Sequence, residues 1–531
     1  MTRHGAIRRQ VLAGTLLALL LTLAWAPQSA EAQGTVKFIP HAGLRVVDPH
    51  WTTAYVSRNH SYLVYDTLFA MDKDFKPTPQ MVDKWSVSED GMTYQFTLRK
   101  GMKWHDLTPV TARDCVASLK RWETKDPLAV KLAAVTKSLE ATGELSFTLV
   151  LKEPFGLVLD ALAKPSGQVP FMMPERLAAT DPNKQVEEII GSGPYKFEKA
   201  EFQPGVKAVY TRFKEYVPRS EPTNNLAGGK VAHLDRVEWV VIPDNNTAVA
   251  ALNAGEVDIF EAPPVDLMPL LKSNNKIVVQ VMDPLGFQMG LRFNHLQPPF
   301  DNPKMRRAVL YMINQASVMQ VVVGSDTNFY KVCNAIFFCN TPFGSTAGAE
   351  DVKQDFAKAK QLLNEAGYKG EKVVMMDPTD LNVLHSAVLA TVPQLRQGGL
   401  NVEVQAMDWG TLLTRRNSKE LLDKGGWSML ITAGTGADLI FPLSNFFINP
   451  LCDKGWFGWY CDPKMQTLQD EWSRTSDTKK AMALRVDMQR EAYATAPFAP
   501  LGQYQQPMAY RDSVSGVVPA VVPVFWGMKK K

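Results

Sequence analysis

The sequence predicts a protein of the α/β class, because strand and helix patterns alternate along its length. The side chains of Tyr94–Leu98 alternate with period two, which is typical of a half-buried strand. Residues Thr247–Ala254 have the pattern of a helix that ends at Gly255, and they lead into an expected strand at Val257–Phe260. Units of this mixed kind recur through the chain without an internal repeat.

Two more helices are indicated by the residues at their N-terminal ends. Thr111 is expected to cap a helix that carries Asp114 in its first turn, where a carboxylate is favourable. Asn302 and Pro303 open another, with the asparagine as cap and the proline at the first helical position. This second helix is predicted over residues 304–316.

Length and composition are those of an ordinary globular protein. The chain has 531 residues, 45% of them hydrophobic and 21% charged, which excludes wholesale disorder and fibrous architectures. A size of ~150 residues per domain suggests three or four domains or subdomains. The formal net charge of +4 is too small to indicate a nucleic-acid-binding protein.

Residues 1–32 are predicted to be a secretory signal peptide. Three arginines precede an apolar run over residues 11–26, and an Ala-Glu-Ala cleavage site follows at residues 30–32. The apolar run is shorter than the ~20 residues of a membrane span, so a retained anchor is the less favoured alternative. The general and the twin-arginine export routes both stay open. We expect an exported protein without stable membrane insertion.

The five cysteines are expected to form two pairs and one free thiol. Cys333 and Cys339 are six residues apart, Cys452 and Cys461 are nine apart, and Cys115 stands alone in a helical pattern. Export places them in an oxidising compartment, where disulfides persist. The alternative is five free thiols. Neither pair has the CxxC spacing typical of a zinc ligand pair, so we expect no metal site.

Known catalytic signatures are missing from the sequence. It contains no HExxH, GxSxG, Walker A or GxGxxG motif, and no two of its eight histidines stand at ligand spacing on one helix. We therefore expect no enzyme and no cofactor. An exported hydrolase on this scaffold is kept as a remote alternative.

Several stretches in order along the chain carry a family resemblance. They are Tyr65–Phe69, Pro79–Trp85, Ser88–Gly101, Lys103–Asp106, Gly191–Phe197, Pro299–Ala308 and Ala357–Gly367. Together they resemble the family 5 extracellular solute-binding proteins of ABC importers, the dipeptide- and oligopeptide-binding type, over essentially the whole mature chain. One departure is Leu107, where the family usually has glycine; we expect this leucine to pack against a neighbour.

The resemblance implies the two-lobe periplasmic binding protein fold (type II, cluster C), with an extra inserted subdomain and a hinge. Closure of the lobes around a ligand is a change that a transporter can sense. The implied boundaries are 33–61, 191–290 and 506–531 for a discontinuous lobe 1, 62–190 for its inserted subdomain, and 291–505 for lobe 2.

The resemblance also implies a ligand site. Trp409 matches an aromatic residue that lines the family's peptide cleft, and Asp438 matches the acid that pairs with a peptide's α-amino group. Residues 52–60 match the family's first cleft-facing loop. The alternatives are core packing for Trp409, a loop or capping role for Asp438, and a solvated loop for residues 52–60. The candidates in the loop are Tyr55, Arg58, Asn59 and His60.

The sequence leaves the other end of the ligand open. Dipeptide binders hold the ligand carboxylate with an arginine, whose planar fork matches it, but the corresponding position falls near Pro378, in a segment without arginine. The sequence therefore does not establish that the ligand is a free dipeptide. A longer, amidated or cyclic peptide or another amine-bearing solute fits as well. Other arginines that would serve are Arg58, Arg292, Arg415 and Arg416.

The function that follows is the periplasmic substrate-binding component of an ABC importer. It captures a peptide or peptide-like solute between its lobes and delivers it to a permease and ATPase complex. We expect a monomer with no nucleic-acid partner. Two alternatives stay open: a non-peptide solute (opine, sugar, haem or metal chelate) in the same fold, and a sensory role through a chemoreceptor.

Overall fold

The structure is a computed structural model that describes residues 34–339, 341–475 and 477–531. The expected signal peptide, residues 1–32, lies outside the described residues. Within the described ranges, no helix is both long enough and apolar enough to cross a membrane.

The first large sheet brings together the beginning, the middle and the end of the chain. Thr35–Ile39 pairs in parallel with Arg236–Val240 on one side and with Ile259–Phe260 on the other. Pro507–Arg511, near the C-terminus, runs antiparallel between two strands from the middle of the chain. The order of this seven-stranded sheet is Ile277–Val281, Pro507–Arg511, Ile259–Phe260, Thr35–Ile39, Arg236–Val240, Lys207–Arg212 and Tyr195–Phe197.

The second large sheet has six strands. Phe287–Phe293 runs antiparallel to both of its neighbours, Met429–Thr435 and Phe498–Tyr504. Lys372–Pro378 and Asn401–Met407 are parallel, and the long helix between them makes the crossover. The order is Tyr330–Lys331, Phe498–Tyr504, Phe287–Phe293, Met429–Thr435, Lys372–Pro378 and Asn401–Met407.

A smaller antiparallel sheet of four strands is built from residues that lie between Thr35–Ile39 and Tyr195–Phe197 in the chain. Its order is Val82–Val87, Thr93–Leu98, Ser146–Leu151 and Thr136–Ala141. The strand predicted at Tyr94–Leu98 is thus confirmed. Two short pairs complete the strands of the described residues: Phe69–Met71 with Pro77–Pro79, and Val514–Ser515 with Lys529–Lys530.

Helices connect the strands throughout the described residues, which confirms the α/β class. The α-helices are Tyr55–Val64, Ala112–Trp122, Pro127–Val135, Val158–Leu162, Glu175–Ala178, Asn245–Ala254, Met268–Lys272, Pro303–Leu310, Gln315–Val323, Phe356–Glu365, Asn382–Gln397, Trp409–Arg415, Gly436–Leu439, Pro463–Arg474 and Thr478–Thr495. Short 3-10 turns are Lys199–Glu201, Val265–Leu267, Leu422–Lys424, Phe446–Ile448 and Cys452–Lys454.

The helix ends follow the expected signals with one difference. Asn302 caps the helix Pro303–Leu310, as predicted. That helix does not continue to residue 316, because Asn314 caps a separate helix, Gln315–Val323, and its side chain accepts a hydrogen bond from the third residue of that helix. The apolar pattern runs through both helices and hides the break.

Two other predictions, the helix cap at Thr111 and the helix end at Gly255, are confirmed. Thr111 and Asp114 form a reciprocal capping box. Gly255 ends its helix with a φ of 84°. The following strand is two residues shorter than predicted, Ile259–Phe260, because the Val257 amide still closes the end of the helix.

The expectation for Leu107 is wrong. Its side chain is 53% exposed and does not fill a gap in the core. Its φ of 72° lies in the left-handed region that glycine adopts without strain. The backbone of this turn therefore has the left-handed conformation that glycine would adopt, although residue 107 is leucine.

The cysteine prediction is confirmed. Cys333 and Cys339 form one disulfide and Cys452 and Cys461 form another. Cys115 is a buried free thiol. Burial also raises the pKa of the Cys115 thiol, so it stays protonated and unreactive.

Within the described residues, the chain passes between the two large sheets twice, at residues 282–286 and 505–506. The two links lie side by side: Gly286 has a φ of 71°, and a Cβ there would stand 2.4 Å from the Tyr504 carbonyl oxygen. The division into lobes and the hinge motion stay predictions. Strand Phe287–Phe293 crosses the expected boundary near residue 290 and pairs within the six-stranded sheet.

Candidate functional site

A cavity of about 660 Å³ lies between the two large sheets. On one side its wall is made by residues that directly follow strands of the seven-stranded sheet, such as His41 and Glu261, and on the other by Phe287, Trp409 and Asp438. Thr35–Ile39 and Ile259–Phe260 are parallel neighbours, so their carboxyl ends meet at one edge of the sheet. This edge is where ligands bind in many α/β proteins.

His41 and Glu261 form a polar pair in the wall. The His41 backbone N–H donates to Glu261 Oε2 at 2.7 Å, and the His41 ring nitrogen Nδ1 lies 2.9 Å from the same oxygen. Asn59 Nδ2 donates to Oε1 at 2.9 Å. Burial raises the pKa of Glu261, but the charge and hydrogen bonds of His41 outweigh burial, and the net pKa is lowered. Glu261 is therefore an ionised acceptor at neutral pH.

Asp438 is a buried carboxylate of the cavity wall, with 1% of the residue exposed. Three hydroxyls donate to its Oδ2: Tyr55 at 2.6 Å, Ser166 at 2.8 Å and Thr435 at 3.0 Å. No hydrogen bond within the described ranges goes to Oδ1. Burial and the neighbouring carboxylate raise the pKa of Tyr55 well above its ordinary value, so its hydroxyl stays a donor.

Gly167 keeps the space beside Asp438 open. A Cβ at Gly167 would lie 3.3 Å from Asp438 Oδ1 and 3.2 Å from Lys164 Nζ. Lys164 Nζ, which borders the same space, forms a buried ion pair with Asp126. Asp126 also caps a helix and is fixed by it. Asp438 Oδ1 therefore borders a space that a side chain at residue 167 would occupy.

Of the segment 52–60, which the resemblance implied to be a loop, residues 55–60 are helical. Tyr55–Val64 is a helix, and most of its residues are buried. Tyr55 and Arg58, three positions apart on one face of the helix, both line the cavity. Arg58 Nε and Nη2 donate to Asn59 Oδ1 at 3.1 and 2.9 Å, and Nη1 donates to Ser166. Asn59 thus lies behind the wall and links Arg58 to Glu261.

His60 lies away from the cavity. Its ring packs edge-on against Phe197, and its Nδ1 is 2.9 Å from the Tyr210 hydroxyl. Burial lowers its pKa to about 3, so the ring is neutral at physiological pH. Its position in the packed interior favours a structural role.

Trp409 lies in the wall, as the resemblance implied. It begins the helix Trp409–Arg415, whose cap is Asp408. Its backbone N–H donates to Asp380 Oδ1 at 2.6 Å, which fixes the start of the helix. The half-buried indole presents an apolar surface to whatever the cavity encloses.

Of the four arginines considered, Arg58 and Arg416 line the cavity. Arg292 is fully buried and donates to backbone carbonyls, among them those of Phe447 and Phe457. Arg415 donates to the carbonyls of a neighbouring turn. These two therefore support the backbone and do not line the cavity.

Several wall residues were not found by sequence reasoning. The pairs His41–Glu261 and Asp126–Lys164 were missed because each depends on which strands and segments are neighbours. Trp456 was missed although it lies inside the predicted loop 452–461; it packs on Phe446, and both rings line the cavity. Among the described residues, no cluster of three or more His, Cys, Asp or Glu side chains is arranged to hold a metal ion.

A cavity between two sheets, with fixed polar groups beside apolar surface in its wall, is suited to enclosing a small solute. The family comparison agrees. Residues 76–458 match the model of the bacterial extracellular solute-binding proteins, family 5, and the chain belongs to this family. Its members are non-enzymatic transport components, and this protein is the solute-binding protein of an ABC transporter.

The similar proteins differ in what their names say they bind. A probable peptide ABC transporter periplasmic-binding protein of Sinorhizobium fredii is 36% identical over 100% of this chain and 99% of its own. The glutathione-binding protein of Pectobacterium atrosepticum is 27% identical over 92% of this chain and 91% of its own.

Solved structures agree on the fold. A periplasmic binding protein from Helicobacter pylori in complex with the peptide STSA has a TM-score of 0.79 at 22% identity, covering 94% of this chain and 98% of its own. A binding protein from A. tumefacien R10 in complex with agropinic acid has a TM-score of 0.78 at 22% identity, covering 94% of this chain and 99% of its own.

Proposed function

We propose that this protein captures a peptide or peptide-like solute with a free amine in the periplasm and delivers it to the permease and ATPase complex of an importer. The ligand would lie in the cavity between the two sheets, and closure about the links at 282–286 and 505–506 would present the loaded form to the permease. The similarity to a peptide transporter's binding protein over the full chain supports a peptide cargo.

The observation that carries the proposal is the free face of Asp438. This buried carboxylate accepts three hydroxyl hydrogen bonds on Oδ2, and Gly167 leaves room at Oδ1. An ammonium placed there would gain a charge-assisted hydrogen bond. Trp409 and Phe446 would cover apolar parts of the ligand without selecting one side chain.

The test begins with mass spectrometry of the small molecules released when the purified protein is denatured. A panel of peptides with free and N-acetylated amines is then scored by the shift in melting temperature, since a ligand stabilises the folded state by mass action. We expect free-amine peptides to raise the melting temperature more than their acetylated forms. Absence of a shift with every peptide would refute the peptide cargo.

A non-peptide solute such as an opine is the second candidate. Glu261 and the paired Asp126 and Lys164 offer further acceptors and a donor in the wall, which suit a ligand with hydroxyl groups besides its amine. The same mass spectrometry separates the two, because an opine and a peptide differ in mass and fragmentation.

A further inference from the structure

Arg416 is a buried cation of the cavity wall that has no counterion among the described residues. The residue is 4% exposed and lines the cavity. No carboxylate of the described chain forms an ion pair with its guanidinium, and burial lowers its pKa to about 9, which still leaves it charged at neutral pH. A buried charge is strongly unfavourable when it is unpaired, so its partner is expected to come from outside the chain.

The hydrogen bonds of Arg416 are also incomplete. Nη2 donates to Thr53 Oγ1 at 3.0 Å, whereas the buried Nε has no acceptor. The guanidinium lies over the Phe457 ring, 4.0 Å from its centroid, and 5.9 Å from that of Trp456. These aromatic contacts lie within cation–π range and occupy none of the hydrogen-bond donors of the group.

The other basic groups of the wall are different: His41, Arg45 and Lys164 each face a carboxylate of the chain, and Arg58, which forms no ion pair among the described residues, donates a hydrogen bond from each of its three guanidinium nitrogens. The partners are Glu261 for His41, Asp408 for Arg45, Asp126 for Lys164, and Asn59 with Ser166 for Arg58. Arg306 lies outside the wall and uses its nitrogens on backbone carbonyls. Among the described residues, Arg416 thus lines the cavity with neither a carboxylate partner nor an acceptor at Nε, and this combination calls for an anion.

We propose that Arg416, together with Thr53, binds a carboxylate of the ligand, so that the protein selects zwitterions whose ammonium group lies at Asp438. The planar guanidinium edge matches the two oxygens of a carboxylate. This inference rests on the proposed function for the presence of a ligand in the cavity. It places the ligand carboxylate at Arg416, in the segment that follows Trp409. The family's own carboxylate-binding position, near Pro378, is far from this segment in sequence.

The first test uses acetate as a probe and needs no knowledge of the ligand. Melting temperatures are measured in sodium acetate, and in acetamide with sodium chloride, at equal ionic strength, for the wild type, Arg416→Gln and Arg416→Met. Arg415→Gln is the matched control, because it removes the same charge from the adjacent residue outside the cavity. We expect an acetate-specific, saturable stabilisation in the wild type and in the control, which both Arg416 variants lose.

The second test compares each peptide or opine that binds with its carboxamide, by calorimetry. We expect the acid to bind roughly ten- to a hundredfold more tightly than the amide, as for a hydrogen bond to a charged group, and Arg416→Gln to abolish that preference. Equal affinity for acid and amide in the wild type would overturn the inference and leave peptide capture intact. Acetate stabilisation that depends on Arg416, without binding of any peptide, would support the inference and refute the peptide cargo.

Discussion

Replacing Asp438 by asparagine separates the role of the carboxylate in ligand binding from its role in the fold. The amide oxygen of asparagine can still accept from Tyr55, Ser166 and Thr435. A hydrogen bond to a charged acceptor contributes about 1.5–3 kcal/mol and one to a neutral acceptor about 0.5–1.5 kcal/mol, so the three bonds together lose roughly 3 kcal/mol. The smaller cost of burying a neutral amide offsets this loss. We expect the free energy of unfolding without ligand to change by less than about 2 kcal/mol.

The effect on binding should be much larger. Removing one partner of a buried ion pair costs about 3–5 kcal/mol, because the other charge stays buried and unpaired. This corresponds to a rise in Kd of roughly two to three and a half orders of magnitude for an amine-bearing ligand. Isothermal calorimetry with the ligand that co-purifies measures it, and urea unfolding of the same samples gives the stability.

Asp462→Asn is the matched control. Asp462 is also a buried aspartate that accepts from a tyrosine hydroxyl, that of Tyr460 at 2.7 Å, but it lies outside the cavity wall. The Asp462→Asn substitution should leave the ligand's Kd unchanged. N-acetylation of the ligand should weaken binding to the wild type and have little effect on Asp438→Asn. An Asp438→Asn protein with wild-type affinity for the free amine would refute the assignment of Asp438.

Three further predictions concern the surroundings of the cavity. Gly167→Ala should destabilise the fold by about 1–2 kcal/mol, because φ is +69° at this residue. It should also weaken ligand binding, because the added methyl group would lie beside Asp438 Oδ1. Thermal melting measures the first effect and calorimetry the second. Burial raises the pKa of Asp283 from 3.8 to about 6, so its contribution to stability is complete below about pH 4 and is lost as the pH rises through about 6. The total is roughly 3 kcal/mol, and Asp283→Asn should flatten this part of the urea-unfolding profile between pH 4 and 7.5, whereas an unchanged profile would exclude Asp283 as its source. Replacing Cys452 and Cys461 by serine should cost about 2–3 kcal/mol and also raise the ligand's Kd, because the loop they close carries Trp456; an unaltered Kd would contradict a role of the loop in the site.

Sequence reasoning succeeded where the signal is local or is carried by a long motif. The capping residues Thr111 and Asn302 act through their own side chains on nearby amides, so their function can be predicted without the fold. The cysteine pairs were predicted correctly because short separations and an oxidising compartment leave few other arrangements. The family motifs were sufficient for the fold, since they lie in the elements that build it.

The parts of the site that were missed depend on contacts between distant residues. His41 and Glu261 are 220 residues apart, and they meet only because their strands are parallel neighbours. His60 follows Arg58 by two positions, and helical geometry turns it away from the cavity, whereas a loop would have left it free to face the ligand. The lack of a counterion at Arg416 is likewise a property of its surroundings and has no signature in the sequence.

The position of Pro507–Arg511 inside the seven-stranded sheet has a consequence for the order of folding. This strand lies between Ile259–Phe260 and Ile277–Val281 and pairs with both, so the sheet is joined by residues that are far apart in sequence. Pairings of this kind form slowly, because the cost of closing a long loop precedes the gain from the contacts. Glu261 directly follows one of the strands that Pro507–Arg511 joins, so we expect this part of the cavity wall to take shape late in folding, after the local helices and hairpins.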